Sequence, residues 1–190
     1  MTTSTGSTKR PVSYPGFAGL SWISASELEW LISLLPDEGL FVEVGTASGV
    51  TAAKIAQARR RLTLLSVDSF PDHDAIRVTT GDPCRVDSWR RNRRPNMTLW
   101  LGTLAALERF YPDLQADSIF VDAGHEEAEV YDDLLRASRL LAPGGTLFVH
   151  DFAEPKLPGV RGAVDRICRE TWLTPFADHQ TMLALRIKTK

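Results

Sequence analysis

Short apolar runs that alternate with helix-patterned segments are the feature that most restricts the fold of this 190-residue chain. Mostly apolar runs of this kind, bounded by turn-forming residues, are typical of buried strands. They lie at residues 40–44, 62–67, 97–101, 118–121 and 146–149. Strands that are joined by helices run parallel, and both faces of their sheet are covered. The sequence therefore predicts an α/β protein with a doubly wound, mostly parallel sheet.

Helical spacing of apolar residues predicts the segments that connect these strands. Helices are expected at residues 28–35, 50–60, 130–141 and 160–168. Ser24 and Glu27 have the spacing of a capping box ahead of the first helix. A turn at Pro143-Gly144-Gly145 is expected to end the third. Residues 174–176 and 182–187 are predicted to pair as an antiparallel hairpin, which brings the sheet to seven strands.

The length of the chain and its hydrophobic content of 43% fit one domain with a full core. We expect residues 1–12 to form a flexible tail and residues 13–190 to form that single domain. Within it, residues 71–95 are rich in Asp, Pro and Arg. A long excursion of this composition is expected to be irregular, and it is a candidate substrate loop.

Charge and cysteine content restrict the partners and the compartment. The formal net charge of −2 gives no global attraction to nucleic acid or to anionic lipid. No apolar run approaches the roughly 20 residues of a membrane helix. Cys84 and Cys168 form no CxxC pair, and the sequence shows no secretory signal. We therefore expect a cytoplasmic protein whose partner is a small molecule rather than nucleic acid or a membrane, and the sequence leaves a homo-oligomer open.

A glycine-rich turn follows the first predicted strand and is the strongest functional signal in the sequence. Small residues stand at relative positions 0, 2 and 4, namely Gly45, Ala47 and Gly49, and Glu43 comes just before them. Small residues let a ligand approach the backbone, and the following helix offers free N–H groups. A dinucleotide fingerprint has glycines at positions 0, 2 and 5 instead. The Glu43 carboxylate would repel a pyrophosphate but suits a ligand with ammonium and sulfonium charges.

This pattern resembles the first motif of the class I S-adenosylmethionine-dependent methyltransferases, with Ala47 where glycine is usual. The resemblance covers residues 40–152 and implies a Rossmann-like fold with S-adenosylmethionine as cofactor. It also implies that Asp68, which ends the second strand, accepts both ribose hydroxyls, and that Gly102 and Thr103 form the adenine-side loop. The donor-binding residues expected on this basis are Glu43, Gly45, Thr46, Ala47, Ser48, Gly49, Asp68, Ser69, Gly102, Thr103 and Asp122.

The residues that follow strands four and five extend the resemblance to a subgroup. Asp122 with His125, the Pro143-Gly144-Gly145 turn, and His150 with Asp151 resemble methyltransferases that act mainly on hydroxyls of sugars and small natural products. The reaction expected from this resemblance is O-methylation of a small molecule.

A hydroxyl acceptor must lose its proton, so a base or a metal should lie near the transferred methyl group. His125 is the first candidate for the base because an unperturbed imidazole titrates near working pH. His150 and Asp151 are the other candidate catalytic residues. Asp122 and Asp151 end neighbouring strands and are candidate ligands for Mg²⁺. Phe152 stands where the catechol-type relatives have an Asn that completes such a site, so the sequence leaves base catalysis and metal assistance open.

An arginine cluster in the irregular segment has two interpretations. With Trp89 it would suit an acidic substrate, because guanidinium groups bind carboxylates and phosphates through paired hydrogen bonds. A run of charges is also typical of a solvated face. Its members are Arg85, Arg90, Arg91, Arg93 and Arg94.

Two alternative functions remain at this stage. A nicotinamide-dependent oxidoreductase would use the same fold, although the glycine spacing argues against it. A binding protein that keeps the nucleoside site but has no catalytic activity is the other, since a fold does not fix a function.

Overall fold

The computed structural model describes residues 11–70 and 85–187. Within them a single seven-stranded sheet is formed by β1 (Glu38–Val44), β2 (Arg61–Asp68), β3 (Met97–Leu101), β4 (Ala116–Val121), β5 (Leu141–Val149), β6 (Leu173–His179) and β7 (Met182–Ile187). The strand order is β3-β2-β1-β4-β5-β7-β6. The first five strands pair in parallel, and β7 runs antiparallel to both β5 and β6. The predicted parallel sheet and its C-terminal hairpin are confirmed.

Helices cover both faces of this sheet. They are α1 (Ala25–Leu34), α2 (Val50–Ala58), α3 (Arg85–Asn92), α4 (Leu104–Phe110), α5 (Glu127–Leu140) and α6 (Pro158–Glu170). Buried side chains of α1, α2 and α3 form one core with residues such as Phe41 and Phe148. Buried side chains of α4, α5 and α6 form the second core on the other face, where Ile119 and Leu147 are central. This two-sided covering explains why the parallel strands are nearly continuous apolar runs.

Backbone hydrogen bonds align the carboxyl ends of the parallel strands. The N–H of Gly45 donates to Val67 at 2.9 Å, and the N–H of Asp122 donates to Val44 at 2.9 Å. The N–H of His150 donates in turn to Val121 at 3.1 Å. The residues that follow β1, β4 and β5 are therefore held side by side along one edge of the sheet. This is the edge at which open α/β sheets bind their ligands.

Two local expectations need correction. The Pro143-Gly144-Gly145 turn lies inside β5, which begins at Leu141 directly after α5 ends. The pairing of β5 with β4 shifts register between Ala116 and Ser118. This shift accommodates residues 142–145 of β5, which lie between the two pairings. Within this stretch Gly144 adopts a φ of +81°.

The second correction concerns the segment expected to be irregular. Residues 71–84 lie outside the described part of the chain, but residues 85–92 form helix α3. Trp89 is 3% exposed and belongs to the core that α1 and α2 also form. Its ring packs against Gly49. The sequence pattern also does not predict helix α4, which the structure forms at Leu104–Phe110. Its start is fixed by Thr103, whose side chain accepts a hydrogen bond from the N–H of Ala106.

The N-terminal region is tied to the body of the fold. Residues 1–10 of the expected tail lie outside the described part of the chain, whereas Val12 makes a β-bridge with Ser21. Asn92 of α3 accepts a hydrogen bond from the N–H of Ala18 at 2.8 Å and donates to the Ala18 carbonyl at 2.7 Å. In the described ranges, no helix has both the length and the apolar character needed to cross a bilayer.

Candidate active site

The turn between β1 and α2 has a backbone that only small residues allow. Gly45 has a φ of +89°, and a Cβ placed there would lie 2.1 Å from the Asp122 carbonyl oxygen. Gly49 has a φ of +72° and lies against the Trp89 ring. Ala47 also adopts a left-handed backbone, with φ of +47°, and its N–H donates to the Asp68 carboxylate at 2.9 Å. The turn is thus packed between β2, β4 and α3.

A cavity of about 380 Å³ opens beside this turn, and we call it the β2-side cavity. Predicted donor-binding residues from four separate chain segments line it: Gly45, Ala47, Asp68, Ser69, Gly102, Thr103 and Asp122. The fold therefore brings together residues that are as far apart in sequence as Gly45 and Asp122.

The other predicted donor-binding residues lie behind the turn. Glu43 is buried and accepts a hydrogen bond from Ser66 at 3.2 Å. The Ser48 hydroxyl donates to the carbonyl of Leu20 at 2.8 Å, so it faces the N-terminal segment. Thr46 is buried, and Gly49 packs on Trp89. Their positions fit a role in shaping the turn.

The β2-side cavity is strongly acidic. Asp68, Asp122, Glu129 and Asp133 line it, and none of its described lining residues is a lysine or an arginine. Burial, reinforced by neighbouring Asp132, raises the pKa of Asp133 to about 6. Such a lining repels a pyrophosphate and attracts a ligand that is cationic and rich in hydrogen-bond donors.

A second cavity of about 460 Å³ adjoins the first, and we call it the β5-side cavity. The two share Gly45, Ala47, Asp122 and Ala123 in their linings. The β5-side cavity adds an aromatic ring, a cation and further acids, contributed by Trp22, His125, Asp151, Glu154, Lys156 and Leu157. Two ligands bound in these adjoining cavities would meet near Gly45 and Asp122.

A cluster of three side chains lies in the β5-side cavity. Asp122, His125 and Asp151 each offer one ligand atom, and these atoms lie within 4.8 Å of one another. The Nε2 atom of His125 is 3.3 Å from a carboxylate oxygen of Asp151. The hydrogen bond to Asp151 outweighs burial and raises the pKa of His125. Two carboxylates and an imidazole in this arrangement can bind a divalent cation.

Asp151 has the unusual backbone within this cluster. Its φ is +60°, a left-handed conformation that residues with a Cβ rarely adopt. A strained residue of this kind persists only where the surrounding structure holds it, and such residues concentrate at functional sites.

His150 occupies a different environment from His125. It is 2% exposed and is not among the described residues that line either cavity. Its Nδ1 atom lies 3.1 Å from Asp122 and 3.4 Å from Asp151, and its Nε2 atom lies 3.7 Å from Glu27. Burial opposes protonation of the ring, but the three carboxylates prevail and raise the pKa of His150 well above its ordinary value. His150 is therefore buried among acids, behind Asp122 and Asp151, and does not itself line either cavity.

Comparison with known proteins identifies the family. Residues 42–152, more than half of the chain, match the family described as "Methyltransferase domain". The chain belongs to this methyltransferase family. The prediction of an S-adenosylmethionine-dependent methyltransferase is confirmed, and the oxidoreductase alternative finds no support. No curated protein sequence matches the chain.

Solved structures of methyltransferases share the fold. The O-methyltransferase NovP superposes with a TM-score of 0.67 at 16% identity, over 89% of this methyltransferase and 82% of NovP. CalS11, a TDP-rhamnose 3'-O-methyltransferase of calicheamicin biosynthesis, gives 0.55 at 15% identity, over 85% and 76% of the two chains. A ribosomal protein L11 methylase from Lactobacillus delbrueckii subsp. bulgaricus gives 0.59 at 16% identity, over 86% and 79%. Since the names of CalS11 and of the L11 methylase indicate different acceptors, the likeness establishes the fold and not the acceptor.

Several residues at the methyltransferase site could not be identified from the sequence pattern. Trp22 and Lys156 line the β5-side cavity, although one lies in the N-terminal segment and the other follows β5. Glu129 and Asp133 reach the β2-side cavity from α5. In the sequence they are indistinguishable from other polar positions of that helix. Glu27 was expected only as a helix cap. Its contact with His150 links residues that are distant in sequence.

Of the arginine cluster, Arg90, Arg91, Arg93 and Arg94 line neither the β2-side nor the β5-side cavity. Arg90 is exposed and pairs with Asp87 at 3.3 Å. Arg93 donates to the Met97 carbonyl at 3.2 Å, and the guanidinium of Arg94 lies 5.1 Å from the centre of the Phe17 ring. These contacts favour a structural and solvated role for this part of the methyltransferase.

Glu43→Gln is expected to raise the melting temperature of the methyltransferase at alkaline pH. Burial, with help from Asp122 and Asp68, raises the pKa of Glu43 from 4.5 to about 8 in the folded chain. Glu43 therefore contributes stability below its unfolded pKa and loses it as the pH rises through about 8, because only the unfolded chain releases the proton readily. Glutamine has no proton to release.

Calorimetric melting curves at about pH 5 and about pH 8.5 measure this effect, since these values bracket the titration of Glu43. The advantage of the Gln variant over the wild type should grow between the two. An equal difference at both pH values would contradict the raised pKa.

Proposed function

We propose that this methyltransferase transfers the methyl group of S-adenosylmethionine to a hydroxyl oxygen of a small molecule, with the help of a divalent cation. The observation that carries the proposal is the junction of the two cavities. The acidic β2-side cavity shares Gly45 and Asp122 in its lining with the β5-side cavity, which holds the cluster of two carboxylates and an imidazole.

The β2-side cavity fits the nucleoside part of the donor. Asp68 accepts hydrogen bonds from the N–H groups of Ala47 and Phe70 at 2.9 and 2.7 Å, which fixes its carboxylate. A carboxylate has about four acceptor sites, so it can still receive the two ribose hydroxyls. The acidic lining suits the sulfonium and ammonium charges of S-adenosylmethionine.

Asp68→Ala is expected to weaken the binding of S-adenosylhomocysteine by about 1.5–3 kcal/mol, or roughly 10- to 150-fold, because a charged acceptor for two hydroxyls is lost. Isothermal titration calorimetry measures the affinity. The matched control is Asp113→Ala, which removes an exposed carboxylate before β4 and should leave the affinity unchanged. Wild-type protein that binds neither S-adenosylmethionine nor its product would refute the proposed donor site.

Asp122, His125 and Asp151 would hold the cation. When bound there, a divalent cation lowers the pKa of the acceptor hydroxyl and so supplies a better nucleophile. The protein's own contribution is to hold the ligands at the shared wall of the two cavities and to align the acceptor with the donor. Alignment alone can supply about 7–11 kcal/mol in such a displacement. Phe152 supplies no ligand atom, so the imidazole of His125 would serve as the third ligand beside the two carboxylates.

The acceptor would lie in the β5-side cavity, between the Trp22 ring and Leu157. A small molecule is favoured because the cavity volume of about 460 Å³ lies within the range of small-molecule sites. Lys156 is the only lysine or arginine among the described lining residues of this cavity. We infer that an acidic group on the acceptor would be received by Lys156 rather than by the arginine cluster. The names of NovP and CalS11 as O-methyltransferases support oxygen as the accepting atom.

A further inference from the structure

A buried chain of polar contacts runs from helix α1 to the proposed metal ligands. At one end, Glu27 is 1% exposed, and its carboxylate lies 3.7 Å from the Nε2 atom of His150. At the other side of the ring, Nδ1 lies 3.1 Å from Asp122 and 3.4 Å from Asp151. His150 is therefore held between an acid of α1 and the two acids that follow β4 and β5.

Glu27 is itself fixed from two directions. One carboxylate oxygen accepts from the N–H of Ser24 at 3.0 Å, which closes the capping box of α1. The other accepts from the N–H and the hydroxyl of Thr181, at 3.1 and 2.6 Å, in the turn between β6 and β7. A capping box alone requires only the first of these contacts. The remaining contacts make the Glu27 side chain a rigid support for the imidazole.

The His150 ring has little freedom because of this support. Its backbone N–H is bonded to Val121, and its ring packs edge-on against Phe120 with centroids 6.1 Å apart. With the Glu27 carboxylate 3.7 Å from Nε2 on one side, the ring presents Nδ1 to the carboxylates of Asp122 and Asp151 on the other. Groups behind metal ligands orient those ligands, and their loss typically weakens metal affinity or activity by about 10- to 100-fold.

We propose that Glu27 is a positioning residue of this methyltransferase, which acts through His150 to hold Asp122 and Asp151 in the geometry that binds a divalent cation. The inference rests on the proposed metal-assisted function. Glu27 touches neither cavity among the described lining residues, so its effect on the cation must pass through the imidazole.

The test is the affinity for Mn²⁺, used as a paramagnetic probe and measured by the electron paramagnetic resonance of the free ion. Glu27→Gln keeps the size of the side chain but removes the charge that faces His150. It also replaces one of the two acceptor oxygens with an NH2 group, so the contact with either Ser24 or Thr181 is lost. We expect Mn²⁺ to bind about 10-fold more weakly to this variant. The affinity for S-adenosylhomocysteine, measured by calorimetry, should change little, because Asp68, the carboxylate proposed to bind the ribose, is held by Ala47 and Phe70 and not by His150.

The matched control is Glu29→Gln, since Glu29 is exposed on the same helix. It should bind both Mn²⁺ and S-adenosylhomocysteine like the wild type. If Glu27→Gln fails to fold, Thr181→Val removes a hydroxyl that holds Glu27 and should weaken Mn²⁺ binding to a smaller extent.

The outcomes separate this inference from the proposed function. Unchanged Mn²⁺ affinity in Glu27→Gln would overturn the positioning role while leaving the metal site in place. Parallel losses of Mn²⁺ and S-adenosylhomocysteine affinity would show a general structural role and would also overturn it. Wild-type protein that takes up no Mn²⁺ but binds S-adenosylhomocysteine would refute the metal part of the proposed function, and the positioning role with it.

Discussion

Chelation of divalent cations by EDTA is expected to abolish methyl transfer by this protein, and added Mg²⁺ is expected to restore it. Asp122, His125 and Asp151 bring their ligand atoms within 4.8 Å of one another at the wall that the two cavities share. A cation there would act on the acceptor hydroxyl, which is a poor nucleophile while it keeps its proton. Transfer of the radiolabelled methyl group from S-adenosylmethionine to a responsive acceptor measures the rate.

His125→Ala distinguishes a metal ligand from a general base. If His125 is a ligand, raising the Mg²⁺ concentration should partly restore the rate of the variant, because the two carboxylates remain to bind the cation. If it is a base, a loss of about 10²- to 10⁴-fold should persist at saturating Mg²⁺. Donor affinity should be unchanged in either case. His179→Ala is the control, since His179 lies in the hairpin and stacks on Trp30.

Full activity in EDTA together with full activity of His125→Ala would contradict both mechanisms. Methyl transfer would then depend on alignment of the two substrates alone, or on an acceptor that needs no deprotonation.

Gly45→Ala is expected to destabilise the protein by about 2–5 kcal/mol and to lower methyl transfer by about 10²-fold or more. The left-handed backbone at φ of +89° costs an alanine about 1–2 kcal/mol. The new Cβ would also lie 2.1 Å from the Asp122 carbonyl oxygen, so the turn or β4 must move, at a further cost of about 1–3 kcal/mol. Such a movement displaces the wall that both cavities share, and a misplacement of about 1 Å can cost 10²-fold in rate.

Gly144→Ala provides a matched control for this prediction. Gly144 has a similar φ of +81°, but a Cβ at this position would meet nothing within 4 Å. We expect Gly144→Ala to lower the free energy of unfolding by about 1–2 kcal/mol, which is the cost of the left-handed backbone alone. Its affinity for the methyl donor should be unchanged. Thermal unfolding and calorimetric binding of S-adenosylhomocysteine measure both effects. If the two variants lose similar amounts of stability and of affinity for S-adenosylhomocysteine, the close approach of Gly45 to Asp122 does not contribute to function.

The sequence was sufficient to predict the positions of the five parallel strands along the chain and the ligand-binding turn. The five parallel strands were predicted because burial on both faces imposes continuous apolar runs, which are visible locally. The turn from Glu43 to Gly49 was predicted because a positive φ and a close approach to another strand exclude larger residues. The capping box of Ser24 and Glu27 was equally local, since it depends on a spacing of three residues.

Tertiary structure decided which of the acids and histidines share a site. His125 and His150 were both candidate bases, and only the packing of β4, β5 and α1 separates the one in the cavity from the one buried among carboxylates. Helix α3 was missed because its composition is polar, and its place depends on Trp89 packing against Gly49, a contact between distant segments.

What the sequence by itself determined, then, were the features that neighbouring residues encode: the strand and helix periods, the small-residue turn and the short motifs that carry the family resemblance over residues 40–152. What only the tertiary structure decided were contacts such as Glu27 with Thr181 and His150, and the position of Trp22 over a cavity lined by Asp151. The physical reason is that periodicity follows from backbone geometry over a few residues. Contacts between distant segments follow instead from the order and register of the strands, which no local pattern specifies.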